Sequence, residues 1–433
     1  MIHNALAIFL QTQGSDGMGK TMIEKILAKA SGKKEVSVGE IVFAKPHMIL
    51  SHDNSAAILK TFEKMGGKKV WDPDRVFIAL DHEVPPPDSK KADNHKAIRK
   101  FVAEKGIKNF YDCGVGICHQ VLPEYGHVIP GVVIYGSDSH TTTHGALAAA
   151  GIAIGRTETA SVWALGETWL RVPESMKIIL EGKLQKSVEA KDIILYIIGQ
   201  LTAEGANYKS IEFHGPAMRE IGIGGRMTLC NMSAEAGCKC AMVPFDEHTE
   251  AYLKEVGAPK YHVLDPDKDA TYEAVHTYDV SKIPPMVAKP HNVDNVSPVS
   301  DVGDVTIDVA LLGTCTNGRI EDLEAAARIL DGKKIAKGVR MLVYPASRKV
   351  LDQAYERGVA RKLLNAGAQI AIPACGPCLG AYGGVLATGE RAISTANRNF
   401  KGRMGTKEGT EIYLASPATV AASALAGKIV SPV

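Results

Sequence analysis

Short apolar runs closed by polar residues alternate with helical periodicity along most of the chain. Met22, Ile23, Ile26, Leu27 and Ala30 fall on one helical face. Thr21 opens that stretch with Glu24 three residues on, a capping-box pattern, and Gly32 stops it. Residues 76–80 read as a buried strand ending at Asp81-His82. Residues 132–135 read as another, ending at Gly136-Ser137-Asp138-Ser139-His140, with an alanine-rich helix expected from about Gly145 onward. Open α/β sheets place ligands beyond strand ends of this kind. Asp or Ser there also caps helices, so each end taken alone leaves both readings open.

Around Pro173 the texture changes, and Ile178-Ile179-Leu180 and Ile193-Ile194-Leu195 open a second α/β block. Residues 283–298, rich in Pro, Asn and Val, read as an interdomain linker. An apolar strand over 305–312 then leads into a loop at Cys315, and 321–330 has helical periodicity. No internal repeat or low-complexity tract interrupts the pattern. The expected division is 18–173, 174–288 and 289–433. Residues 1–17 are set apart as an extension, because Met18 directly precedes the capped helix.

A chain of 433 residues is too long for one core. Net charge is only +2 and no basic run of five or more occurs, which argues against a nucleic-acid surface. No stretch reaches the roughly 18 apolar residues of a membrane span, and Met1 to Leu10 lacks a basic n-region. Eight scattered cysteines in so long a chain read as reduced, cytoplasmic thiols, some with metal chemistry.

Three of those cysteines stand in glycine- and proline-rich loops: Cys315 in Gly-Thr-Cys-Thr-Asn-Gly (313–318), and Cys375 and Cys378 in Cys-Gly-Pro-Cys. A C-x-x-C pair alone suits a zinc half-site or a redox pair, but no second close pair completes a zinc ribbon, and a redox pair leaves Cys315 unexplained. Thiolate ligation favours zinc or iron–sulfur, and three thiolates leave one metal position open. Residues 313–318 have phosphate-loop glycine spacing, but Arg319 and Ile320 replace the required Lys and Ser/Thr. Arg398 and Arg403, close in sequence, have the makings of a carboxylate clamp.

Together these segments resemble the aconitase superfamily, and within it the group of isopropylmalate isomerase and homoaconitase large subunits. Gly-Ser-Asp-Ser-His-Thr (136–141), residues 313–318, Cys-Gly-Pro-Cys (375–378) and Asn-Arg-Asn-Phe-Lys-Gly-Arg (397–403) occur in family order. Asp81-His82, Ile117-Cys118-His119-Gln120 and Cys230-Asn231-Met232-Ser233-Ala234-Glu235 also fit. The resemblance runs over nearly the whole chain from Met18.

The resemblance implies a three-layer α/β/α fold of three domains around a central [4Fe–4S] cluster held by Cys315, Cys375 and Cys378, with one iron free of cysteine. It implies acid/base and iron-site roles for Asp81, His82, His119, Asp138, His140 and Glu235. Ser139, Asn231, Asn397, Arg398 and Arg403 would bind the hydroxy di- or tricarboxylate substrate. Cys113, Cys118, Cys230, Cys238 and Cys240 match no ligand position, and His144 reads as packing or surface. The implied reaction is dehydration and rehydration of a 2-alkylmalate, as in the isomerases of leucine biosynthesis. Homoaconitase and dimethylmalate dehydratase chemistry are the alternatives. Full-length aconitases also carry a swivel domain with a catalytic serine. Its absence before Val433 leads to the expectation of a separate small subunit and an active site closed at the interface. An electron-transfer protein is disfavoured by the open ligand position, and an RNA-binding regulator by the charge.

Overall fold

The computed structural model describes residues 19–380 and 382–432, so the extension expected over 1–17 lies outside the described residues. The first helix is Met22–Ala30. The Thr21 and Glu24 side chains close its capping box as expected, and Met22, Ile23, Ile26 and Leu27 are fully buried.

Three larger sheets and one two-stranded antiparallel ribbon, Ile41–Ala44 with Thr168–Arg171, carry the described chain. The first is five-stranded and wholly parallel, in the order Asn109–Tyr111, Val76–Ala79, Met48–Ser51, Val133–Gly136, Ala150–Ala153. Successive side chains point to opposite faces. Ile49, Val76, Ile78, Val133 and Tyr135 therefore enter one core, and Met48, Leu50, Phe77, Ala79 and Ile134 another. Burial of both faces is what unbroken apolar strands require. The second sheet is parallel and four-stranded: Cys240–Met242, Ser210–His214, Ser175–Glu181, Ala274–Asp279. The third has seven strands, with five parallel from Glu411–Ala415 through Arg391–Ser394, Val309–Gly313 and Arg340–Tyr344 to Gln369–Ile370.

Two expectations are corrected here. The alanine-rich stretch after Gly145 is not a helix but the end of a 3₁₀ segment, Ser139–Leu147, followed by the edge strand Ala150–Ala153. Ala148 stops the helical turn with φ +56, and a Cβ on Gly145 would stand 1.6 Å from the Ala241 carbonyl oxygen. The expected linker over 283–298 contains the strands Met286–Ala288 and Val296–Pro298, which pair antiparallel on the edge of the third sheet. Pro298 suits such an edge because it has no N–H to leave unpaired.

The carboxyl ends of the first and third sheets meet. Ile117 N–H donates to Ala346 O (2.8 Å), and Cys375 N–H donates to Asp81 O (2.8 Å). No described helix is long and apolar enough to cross a membrane.

Candidate active site

Asp138 follows the strand Val133–Gly136, and its carboxylate gathers three imidazoles, two of them from other segments. His119 Nε2 lies 2.7 Å from Oδ1, His82 Nε2 3.6 Å from Oδ2, and His140 Nδ1 3.5 Å from Oδ1. The His140 backbone N–H also donates to Oδ1 at 2.8 Å. Burial alone pushes the carboxyl up, but hydrogen bonds from His119, His140 and His82 hold it well below its ordinary range.

His82 is oriented from its other nitrogen by Asp81, with Nδ1 to Oδ1 at 2.6 Å. The second Asp81 oxygen accepts the Cys118 N–H at 2.7 Å, which fixes the start of the helix Cys118–Glu124 that carries His119. Burial disfavours the imidazolium of His82. Cys375, Asp81 and Asp138 more than offset this and raise its proton affinity well above that of free histidine. A histidine held by a carboxylate on one side can move a proton on the other.

A second relay runs from His140, whose Nε2 is 2.8 Å from Glu235 Oε1. Arg398 Nε donates to both Glu235 oxygens, at 2.9 and 3.0 Å, and its Nη1 is 3.5 Å from the exposed Ser139 hydroxyl. Burial raises the Glu235 carboxyl, and His140 with Arg398 brings it below its ordinary value.

The three cysteines line the facing wall. Cys315, Cys375 and Cys378 are each 5% exposed and unpaired, and Cys315 and Cys375 close on Ile117. Asn231 Nδ2 and Asn397 Nδ2 point at the Cys315 sulfur, at 3.4 and 3.5 Å, and Asn397 Oδ1 is 3.7 Å from the Cys378 sulfur. Burial pushes the Cys315 thiol up to about 12 and raises that of Cys375 well above the ordinary value. The backbone before Cys315 is strained: β-branched Thr314 has φ +70. Gly313, at φ +135, is required because a Cβ would stand 2.1 Å from the Tyr344 carbonyl oxygen.

Thirteen of the fourteen expected residues thus form two facing walls. Arg403 is the exception. Its backbone N–H closes a turn on Phe400 O (2.8 Å), and its Nε is buried with no hydrogen-bond partner among the described residues. His144 is packing, 1% exposed, its ring 5.5 Å from that of His119.

Sequence reasoning missed His52, Asp53 and Lys191. The His52 ring stacks on His82 at 3.9 Å. Asp53 Oδ2 accepts the N–H groups of Asp81 (2.9 Å) and His82 (2.7 Å), pinning that turn. Both follow the strand Met48–Ser51, so the strand-end rule that found Asp81 applies to them equally. Lys191 is fully buried, and its Nζ donates to the carbonyls of Thr395 (2.8 Å) and Ala396 (2.6 Å), just before Asn397.

Residues 24–304 and 297–427 match the family model described as aconitase family (aconitate hydratase). The chain belongs to the aconitase family. Within it, the 3-isopropylmalate dehydratase large subunit 1 of Methanopyrus kandleri is 50% identical over 416 residues, covering 96% of this chain and 99% of that protein. The 3-isopropylmalate dehydratase large subunit of Aquifex aeolicus is 47% identical over 421 residues, covering 96% and 97%. Large subunit 1 of the same enzyme from Pyrococcus furiosus is 47% identical over 418 residues, covering 96% and 98%.

Proposed function

We propose that the chain is the large subunit of a 3-isopropylmalate dehydratase, a hydro-lyase that isomerises its 2-alkylmalate by removing water and adding it back. What carries the reading is one juxtaposition: the carboxylate-bound histidines stand against a wall of three unpaired cysteines, in a chain up to 50% identical to proteins of that name.

The donor set fits a [4Fe–4S] cluster held by Cys315, Cys375 and Cys378. Soft sulfur ligands suit it, and the amides of Asn231 and Asn397 are aimed at a sulfur that burial alone leaves protonated. When bound, the cluster supplies a Lewis-acidic iron free of cysteine for the substrate hydroxyl. The chain's own groups do the rest. His82, held by Asp81 at Nδ1, carries and accepts protons at its Nε2, while His119, bound to Asp138 through its own Nε2, fixes the carboxylate that faces His82. Glu235 fixes His140 and Arg398 together, and the Arg398 guanidinium beside Ser139 binds a substrate carboxylate.

The relatives are named as large subunits, so a smaller subunit that completes the site belongs to this reading. Anaerobic reconstitution with iron and sulfide, with and without a candidate small subunit, tests it. Isopropylmalate, homocitrate and dimethylmalate are compared as substrates. Turnover of isopropylmalate that needs both iron and the second subunit is expected. Full activity without either, or preference for another substrate, defeats the corresponding part.

A further inference from the structure

Behind the turn that presents His82 lies a second constellation that the dehydratase reading does not use. Asp53 spends one carboxylate oxygen on the Asp81 and His82 amides; the other meets His95 Nε2 at 2.7 Å. The opposite nitrogen of His95, Nδ1, lies 3.6 Å from the Cys113 sulfur. Arg99 Nη2 stands 3.7 Å from the same sulfur while the guanidinium also grips Asp112 with two bonds of 2.7 Å. Cys113 is partly exposed, whereas His95 is sealed. A thiol backed by an imidazole, with a carboxylate behind the imidazole, is the arrangement that activates cysteine nucleophiles.

We propose that Cys113 is a modification site: its sulfur, flanked by His95 and Arg99, takes oxygen from a hydroperoxide, and the Asp81-His82 turn registers the change through His95 and Asp53. The thiolate sulfur attacks one peroxide oxygen. An S–O bond forms and the O–O bond breaks. Sulfur is oxidised by two electrons to the sulfenic acid. The other oxygen leaves as hydroxide from hydrogen peroxide, or as alkoxide from an organic hydroperoxide, taking a proton from His95 to become water or the alcohol. The oxidised sulfur no longer offers His95 the same partner, and His95 makes the one side-chain hydrogen bond to Asp53 among the described residues, His52 standing farther off at 4.0 Å.

The charge pattern supports this. Burial works against the His95 imidazolium, but its bonds to Asp53 and Cys113 raise its proton affinity to about 9, placing positive charge beside the sulfur at neutral pH. The other partly exposed cysteine, Cys238, has the opposite surroundings: burial, then Cys240 and Cys230, push its thiol well up.

The test is a brief hydrogen peroxide pulse on the full chain, trapping of sulfenic acid with dimedone, and peptide mapping by mass. Cys113 should label about tenfold or more faster than Cys238, and His95→Asn should slow it by a similar factor, because the imidazole beside the sulfur is gone. Arg99→Gln, at an exposed position, should slow it too and serves if His95→Asn does not fold. Labelling of Cys113 no faster than Cys238, or unchanged in both variants, overturns the site. After oxidation confined to Cys113, hydrogen exchange should quicken in the peptide bearing the Asp81 and His82 amides. Unchanged exchange there overturns the link to the turn.

Discussion

His119 Nε2 and Asp138 Oδ1 stand 2.7 Å apart, and His82 reaches the other oxygen of the same carboxylate at 3.6 Å. One charge therefore orients two imidazoles on different elements. Asp138→Asn keeps the shape and removes the charge. We expect kcat to fall by about 10²–10⁴, the usual contribution of a positioned acid or base, with iron and sulfide content unchanged. Parallel kinetics and metal analysis check this. Normal turnover removes Asp138 from the chemistry.

The Cys378 sulfur touches Asn397 Oδ1 at 3.7 Å and pairs with no other cysteine. Cys378→Ser preserves volume but replaces a soft donor with a hard one. Iron per chain and visible absorption after anaerobic reconstitution should drop sharply, while far-UV circular dichroism stays that of the parent. A variant that reconstitutes to the parental iron content takes Cys378 out of the ligand set. An iron without a cysteine also predicts loss of activity in air, restored by iron and reductant.

The parts of this site that could be read from sequence are those where an apolar run stops abruptly at charged residues, as at Asp81-His82 and at 136–140. Such a break is costly unless the polar groups meet partners, and here they meet one another. His52 and Asp53 obey the same rule, but the strand before them is only four residues long and offers a weak pattern. Lys191 gave no signal, because a lysine at a helix start reads as solvated until the carbonyls of Thr395 and Ala396 are seen. Alanine discriminates poorly between helix and strand. Contacts remote in sequence, such as Gly145 against Ala241, decided residues 145–153. Of the two short strands in 283–298, Val296–Pro298 pairs only with Met286–Ala288, and that strand joins the sheet through partners more than 100 residues away, at 414 and 415.

Arg398 holds both oxygens of Glu235 and helps keep that carboxyl ionised against burial. Arg398→Met removes this support, so the Glu235 carboxyl should rise. If His140 needs an ionised Glu235, the acid limb of the kcat/KM–pH profile moves to higher pH. Arg398→Lys retains charge but not the planar fork, and should raise KM by about tenfold, or ~1.4 kcal/mol, with a smaller shift of the limb. Identical pH profiles for Arg398→Met and the parent disconnect Glu235 from catalysis.

His95 and Asp53 also make stability depend on pH in a defined direction. In the folded chain His95 binds its proton more tightly than when unfolded, rising from 6.5 to about 9. Its contribution is therefore fully present below pH 6.5 and is lost as pH rises through about 9. Asp53 is shifted the other way. Burial opposes ionisation, but the bond from His95 and the nearby His82 and His52 hold its carboxyl well below 3.8. Its contribution is present above about pH 4 and fades only in stronger acid. The pair is thus at full strength between roughly pH 4.5 and 6.5. His95→Asn should lower the thermal midpoint most in that window and progressively less above pH 9. Melting curves of parent and variant, both stripped of metal, at pH 6 and pH 9.5 check the sign. A gap that widens toward pH 9.5 would mean that His95 is held neutral, and the ion pair with Asp53 would have to be abandoned.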